Sequence, residues 1–224
     1  MIEQSLEELQ RLYAEQGARS EKMVRRAVEA LMEREEKLAI EVIETMEPAC
    51  NQAEMEIEQK STEIVARFCP RARDMRRLVA IIKSNGDLER IGDQAVNIAE
   101  NALYLIPRRR VKPLIDIPRM GDLAADMVQD SLKSFLQKNI ELANRVLEKD
   151  NDVDDFDEQI TRELITYMAS DPSTIERSMR IIFLSGSLER IGDLATNIAE
   201  DVIYYLTGED IRHPGDQPEE SEES

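Results

Sequence analysis

Two helical segments carry acidic residues at a spacing that could hold a cation. Residues 88–100 read LERIGDQAVNIAE and residues 188–200 read LERIGDLATNIAE, so one segment occurs twice, one hundred positions apart. At helical periodicity, the carboxylates and amides of each copy fall on one face. They are Glu89, Asp93, Asn97 and Glu100 in the first copy, and Glu189, Asp193, Asn197 and Glu200 in the second. A duplication this close predicts that the chain contains two copies of one folding unit.

A second acidic stripe precedes each repeated segment. Its members are three or four residues apart: Glu47, Asn51, Glu54 and Glu58 in the first half, and Asp150, Asp154 and Asp157 in the second. Antiparallel helices joined by a short turn would bring the two stripes of each half face to face. About four to six carboxylates would then share one groove, where like charges repel one another. A bound cation is therefore expected in each half.

The ligand chemistry of the stripes favours hard cations. Neither stripe contains Cys or His, and oxygen-only ligands suit Fe(III), Mn, Mg or Ca better than zinc. The only histidine, His213, lies in a polar C-terminal segment, so no histidine-based triad or di-metal motif is available. The alternative is a solvated helix face on which Arg90 and Arg190 pair with the carboxylates. Gly92 and Gly192 predict the close approach of a neighbouring helix, which simple packing would equally explain.

A hydrophobic periodicity of three to four residues predicts an all-α fold with six long helices. They are expected at about 6–32, 35–68, 70–106, 119–137, 139–168 and 172–206. Pro48 should kink the second helix, Pro70 fits the first turn of the third, and Gly208 is a predicted C-cap. The predicted organisation is two tandem antiparallel three-helix bundles, at 1–107 and 119–207, with a linker at 108–118 and an acidic flexible tail at 208–224.

The composition excludes several functional classes. The 224 residues carry a net charge of −18, so the surface repels nucleic acid and anionic lipid and favours cations and basic partners. No segment has the pattern of a signal peptide or a membrane span, which predicts a cytoplasmic protein without membrane insertion. Cys50 and Cys69 are expected to be buried thiols. The basic run 108–112 could bind phosphate or an acidic surface, although a solvated linker is the simpler interpretation.

The repeated segments resemble the PhoU family of bacterial phosphate transport and signalling regulators. PRARDMR at 70–76 is similar to that family's third-helix opening, and LERIGDLATNIAEDVIYYLTGEDIRH at 188–213 is similar to its C-terminal sequence. The stretches around Asn51 and Asp154 are similar to its second-helix acidic motifs. The resemblance covers almost the whole chain and implies a fold of two tandem three-helix bundles related by pseudo-symmetry.

The resemblance also implies a function and a set of ligands. Family members can carry multinuclear metal clusters on E-x-x-x-D motifs, which here are Glu89/Asp93 and Glu189/Asp193. Iron is the first expected ion, with Mn, Mg, Ca or Zn as alternatives. The family is not enzymatic: when phosphate is plentiful, it damps the phosphate ABC transporter and the phosphate sensor histidine kinase. The implied partners are therefore the transporter's ATPase subunit, that kinase and a second copy of the chain in a homodimer.

Two departures from the family pattern bear on the metal. Many members have histidine after the ERIGD run, where this chain has Gln94 and Leu194, so a nitrogen ligand is missing. The run around Pro48 and Asn51 is less acidic than the family pattern, so the first-half groove is expected to be the weaker one. The rival functions are a carboxylate-bridged metalloenzyme and a purely structural helical adaptor without metal. The outward-facing acids and the absence of supporting histidines disfavour the enzyme.

Overall fold

A computed structural model describes residues 2–211 of the chain, and all regular elements in that range are helical. The prediction of an all-α fold with three long helices in each half is confirmed. The first half contains α1 (Ile2–Glu33), α2 (Glu36–Glu41, Val42–Met46 and Glu47–Phe68 in succession) and α3 (Ala72–Leu105). The second half contains α4 (Asp116–Gln137), α5 (Ile140–Ser170) and, after the 3₁₀ turn Pro172–Thr174, α6 (Ile175–Thr207).

Helix α2 contains one π-helical turn just before Pro48. Its middle part, Val42–Met46, is a π-helix, and the N–H of Glu47 donates to the carbonyl of Val42 five residues earlier. Proline lacks the N–H that an α-helical turn requires, so the irregularity lies where the sequence predicts one. The helical pattern then resumes through Phe68.

Helix ends are set by residues suited to them, with two differences from prediction. Gly208 (φ 85°) caps α6, and its N–H donates to the carbonyl of Tyr204 at 2.8 Å, as expected. Pro70 lies before α3 rather than in its first turn, because Cys69 adopts a left-handed conformation and Arg71 an extended one. Helix α4 begins at Asp116, three residues earlier than its apolar periodicity predicts.

The two halves share one continuous apolar core. Helices α3 and α6 lie at the centre and pack against each other, and α1 of the first half packs against α4 of the second. An aromatic cluster crosses between the halves: Tyr13 contacts Phe135 (5.1 Å between ring centroids), and Phe135 contacts Tyr205 (5.5 Å). The repeated segments are therefore held on the most deeply packed helices of the fold.

Two residues differ in burial from their sequence-based interpretation. Cys50 is buried as predicted, whereas Cys69 is exposed because the left-handed turn after α2 places it at the surface. Lys112 is only 4% exposed and forms ion pairs with Glu163 and Asp116, so at this position the linker is not solvated. The predicted C-terminal tail beyond residue 211, including His213, lies outside the described residues.

Candidate functional site

The repeated segments divide into a buried face and a surface face. In the first copy Leu88, Ile91, Ala95 and Ile98 have no exposed surface, and the same holds for Leu188, Ile191, Ala195 and Ile198 in the second. The acidic residues of both copies are half-buried or exposed. Burial of the apolar face thus holds each helix in one rotation about its axis and fixes where the carboxylates lie.

The second-half groove is formed by Asp150, Asp154 and Asp157 on α5 and by Glu189 and Asp193 on α6. Burial and the carboxylates of Asp154 and Asp193 raise the pKa of Asp150 to about 6. Burial also raises the pKa of Glu189, to which Asp193, Asp154 and Asp157 add like-charge repulsion. The two stripes therefore face each other, as their antiparallel arrangement predicts, and ionised carboxylates on one helix destabilise those on the other.

Gly192 permits this approach. A Cβ built on Gly192 would lie 3.2 Å from Asp150 Oδ1, which is tighter than most Cβ contacts, and 3.4 Å from Val153 Cγ1, which is an ordinary contact. In the first half, a Cβ on Gly92 would lie 3.0 Å from the Cys50 sulfur. The close approach predicted for both glycines is confirmed, and in the second half the atom that approaches belongs to a groove carboxylate.

The first-half groove is formed by Glu47, Glu54 and Glu58 on α2 and by Glu89 and Asp93 on α3. Burial raises the pKa of Glu89, and the carboxylates of Asp93, Glu54 and Glu47 raise it further. The pKa values of Glu54 and Asp93 are raised as well, first by burial and then by neighbouring carboxylates. Burial and like-charge repulsion therefore raise carboxylate pKa values in this groove, as they do in the second-half groove.

Asn51 and the carboxyl-terminal members of the stripes occupy different surroundings. Asn51 lies within the first-half groove, where its amide donates to Glu47 Oε1 at 2.7 Å and so engages one of the groove oxygens. Asn97 is exposed, and its amide donates to Gln94 Oε1 at 3.3 Å. Glu100 is exposed further along the same helix. Asn197 and Glu200 are half-buried at the corresponding positions of α6.

The arginines of the two repeated segments pair with carboxylates at different positions. Arg190 donates to Asp193 Oδ2 at 2.8 Å, so the predicted pairing with the stripe occurs in the second half. Arg90 instead donates to the buried Asp87 at 3.2 Å. The position equivalent to Asp87 is Ser187, which offers no carboxylate. The two thirteen-residue segments do not include this difference, because it lies one residue before each of them.

The donor set fits a hard cation, but the side chains do not already surround one. Within residues 2–211, no three or more His, Cys, Asp or Glu side chains are grouped closely enough to hold a metal ion. One groove oxygen, Asp157 Oδ1, is buried and has no hydrogen-bond partner among the described residues. The grooves therefore supply oxygen ligands and a net negative charge, and side-chain rotations would have to complete a coordination shell.

Comparison with known proteins identifies the family. A model of the PhoU domain matches the chain twice, at residues 13–102 and 117–202. The chain belongs to the PhoU family. A phosphate-specific transport system accessory protein PhoU homolog of Pseudomonas putida is 40% identical over 211 residues, covering 94% of this chain and 82% of that protein. A homolog of the same description from Aquifex aeolicus is 38% identical, covering 84% and 85% respectively.

Solved structures agree with this assignment. The crystal structure of PhoU from Pseudomonas aeruginosa superposes with a TM-score of 0.90 at 38% identity, covering 93% of this chain and all of that one. The phosphate transport system regulatory protein PhoU from Streptococcus pneumoniae gives a TM-score of 0.87 at 27% identity. PhoU proteins are regulatory accessory proteins and not enzymes. Among the helices within residues 2–211, none is both long and apolar enough to cross a membrane.

Proposed function

We propose that this protein is a non-enzymatic regulator of phosphate uptake and phosphate-starvation signalling. When phosphate is plentiful, it would damp the phosphate ABC transporter through the ATPase subunit and hold the phosphate sensor histidine kinase in its inhibitory state. The observation that carries the proposal is the two-fold match to the PhoU domain, with relatives named as accessory proteins of phosphate-specific transport. The acidic surface supports it, because a net charge of −18 favours docking on basic partner surfaces.

The two acidic grooves are candidate cation sites. We propose that each groove binds cations through its carboxylates, with iron as the first candidate and Mn, Mg, Ca or Zn as alternatives. The raised pKa values of Asp150, Glu189 and Glu89 support this, because burial and then like-charge repulsion raise them, and a bound cation would offset both. Ion binding would link α2 to α3 and α5 to α6, and so stiffen the helical faces that partners contact.

The proposed setting is the cytoplasm, where the ATPase subunit of an ABC transporter lies, with the protein as a homodimer. Ile115, Ile165 and Phe183 are each more than half exposed and would gain free energy from burial in a dimer interface. Size-exclusion chromatography with multi-angle light scattering measures the mass in solution. A single species at the 25.7 kDa of one chain would contradict the dimer.

The regulatory role is tested in a strain that lacks the gene. Deletion should raise phosphate uptake and the expression of phosphate-starvation genes in phosphate-rich medium, and the wild-type gene should restore both to normal. Radiolabelled phosphate uptake and a starvation-promoter reporter provide independent measurements of the two branches. Unchanged uptake together with unchanged reporter activity in the deletion strain would refute the proposed regulation.

The metal is tested on the purified full chain. Protein loaded with excess Fe(III), Mn or Mg and then desalted should retain a stoichiometric ion, measured by inductively coupled plasma mass spectrometry. A double Asp93→Asn and Asp193→Asn variant should lose it, whereas Asp152→Asn, an exposed control on α5, should retain it. If the wild type retains no ion, the protein is a metal-free helical adaptor. The Arg190–Asp193 ion pair favours that alternative, because it already neutralises part of one groove.

A further inference from the structure

An arginine cleft lies between the linker and the start of α6, at a place distinct from the acidic grooves. Arg109, Arg110 and Arg177 line it together with Tyr167, Ser170, Ser173 and Thr174, and Asp171 is its single carboxylate. Arg108 joins Arg109 and Arg177 in the adjoining recess, where Glu176 is the carboxylate. The cleft and its recess thus combine four guanidinium groups with two carboxylates, in a protein whose total charge is −18. Such a local reversal of charge requires an explanation beyond solubility.

The linker that carries three of these arginines is held in place by hydrogen bonds. Arg177 donates to the backbone carbonyl of Arg109 at 2.7 Å and to that of Ser173 at 3.2 Å. Arg110 donates to the carbonyl of Met32 at 3.2 Å, which joins the linker to the end of α1. These contacts hold the linker backbone against α1 and α6, so the backbone that carries Arg109 is fixed before any ligand arrives. A fixed backbone lowers the entropic cost of binding, because only the Arg109 side chain remains to be ordered.

Arg109 is the guanidinium best placed to meet a ligand. Its side chain is exposed, and within residues 2–211 it interacts with Asp171 through charge alone, without a side-chain hydrogen bond or a close ion pair. Asp171, the carboxylate of the cleft, already accepts from the Ser173 N–H at 3.0 Å as the cap of the 3₁₀ turn, and its pKa is lowered first by Ser173 and further by Arg177 and Arg109. The acid in the cleft is therefore engaged, and the arginines retain donors for an additional anion.

The dimensions of the cleft suit a small anion. Its volume is about 250 Å³, far above the roughly 10–15 Å³ that one water molecule requires on the same measure. Guanidinium groups bind oxyanions such as phosphate through paired N–H donors, whereas an apolar ligand would leave those donors without acceptors. Tyr167 is 36% exposed at the rim and could stack on a ring attached to the anion.

We propose that the arginine cleft binds a phosphoryl group, supplied either as inorganic phosphate or as a small phosphate ester. Arg109 makes the main charged contact, and Arg177 positions the linker that carries it. Because the bound anion would touch both the linker and α6, binding would tighten the connection between the two halves. The inference stands on the cleft alone and does not depend on the proposed regulatory function.

The test is isothermal titration calorimetry of the full chain in chloride buffer at constant ionic strength. Inorganic phosphate and adenosine monophosphate are titrated separately into the wild type, Arg109→Ala and Arg11→Ala. Arg11 is a matched control, because it is an exposed arginine on α1 that lies outside the cleft and pairs with Glu15. The wild type should bind at least one of the two ligands, and Arg109→Ala should weaken that binding about tenfold or more. Arg11→Ala should leave it unchanged.

The two titrations identify the source of the phosphoryl group. Tighter binding of inorganic phosphate assigns the free anion, and tighter binding of adenosine monophosphate assigns an ester whose base packs at Tyr167. The proposal is overturned if neither ligand binds the wild type, or if Arg109→Ala and Arg11→Ala weaken binding equally. Thermal melting monitored by circular dichroism should give equal midpoints for all three proteins, since both substituted side chains are exposed.

Discussion

Replacement of Asp150 by Asn should stabilise the metal-free protein. Burial and two neighbouring carboxylates raise the pKa of Asp150 from 3.8 to about 6, so its ionised form is disfavoured in the folded state. Without any solvent screening, that pKa difference would lower the free energy of unfolding by about 3 kcal/mol at neutral pH. The side chain is only half-buried, so solvent screens much of the interaction. Asp150→Asn, which keeps the shape that packs on Gly192, should therefore raise the free energy of unfolding by about 1 kcal/mol near pH 8.

The pH dependence of this gain follows from the raised pKa. The folded protein binds a proton at Asp150 more tightly than the unfolded chain, so the wild type loses stability as the pH rises from about 4 to above 6. Near pH 5 the carboxyl is mostly protonated when folded and mostly ionised when unfolded. The advantage of the Asn variant should then be roughly half of its value near pH 8, and it should vanish below about pH 4.

Urea unfolding followed by circular dichroism, with a chelator present, measures the effect near pH 8 and near pH 5. Asp152→Asn removes the same charge from an exposed site on the same helix and controls for the change in net charge. Its effect should stay within about 0.5 kcal/mol. Equal free-energy changes for Asp150→Asn and Asp152→Asn at both pH values would show that the groove exerts no specific repulsion, and the electrostatic reasoning would then be wrong.

Three further predictions concern packing and the linker. A Cβ on Gly86 or Gly186 would meet nothing within 4 Å, so alanine at either helical position should stabilise the protein by about 0.5–1 kcal/mol in urea unfolding. Gly17→Ala should destabilise it by about 1–3 kcal/mol, because the added methyl would overlap Leu132; a stabilisation would show that the core can move aside. Lys112→Met should lower the free energy of unfolding by about 1–2 kcal/mol, because it leaves Glu163 and Asp116 without their buried partner. The double variant with Glu163→Gln should recover part of that loss, and no recovery would contradict the ion-pair explanation.

The acidic grooves were predictable because they depend on local periodicity and on one simple packing rule. Apolar residues at helical spacing fix which face of α3 and α6 is buried, and antiparallel neighbours then bring the stripes together. Gly92 and Gly192 added the information that the helices approach closely. The pairing of Arg90 with Asp87 was also readable in principle, because the second copy has Ser187 at the matching position.

Other features depend on contacts between distant residues and leave no local pattern. Arg177 meets the linker backbone 68 positions away, and Arg34 donates to the carbonyl of Arg108 74 positions away. Nothing in the sequence around Arg177 or Arg34 distinguishes it from an arginine that contacts only solvent. Pro48 predicts an irregularity in α2, but no residue pattern indicates that it takes the form of a π turn at Val42–Met46. Burial of Lys112 was missed for the same reason, because its partner Glu163 lies on α5.

Under the cation proposal, the two grooves should respond unequally to the loss of their central carboxylate. Burial is the main cause of the raised pKa values of Asp150, Asp154 and Glu189, and Asp193 adds to each of them, so it interacts with both helices of the second-half groove. Asp93 has the corresponding role in the first half, where it raises the pKa values of Glu54 and Glu89.

In the second-half groove, burial, Asp154 and Asp193 raise the pKa of Asp150 to about 6 even though Arg190 pairs with Asp193, and a cation gains most where the repulsion that it relieves is greatest. In the first-half groove, by contrast, an amide already engages one carboxylate oxygen of Glu47. Mn²⁺ should therefore raise the melting temperature of Asp93→Asn more than that of Asp193→Asn, measured against each variant in chelator. Equal shifts for the two variants would contradict the unequal-groove argument, and the absence of any shift in the wild type would contradict cation binding at the grooves altogether.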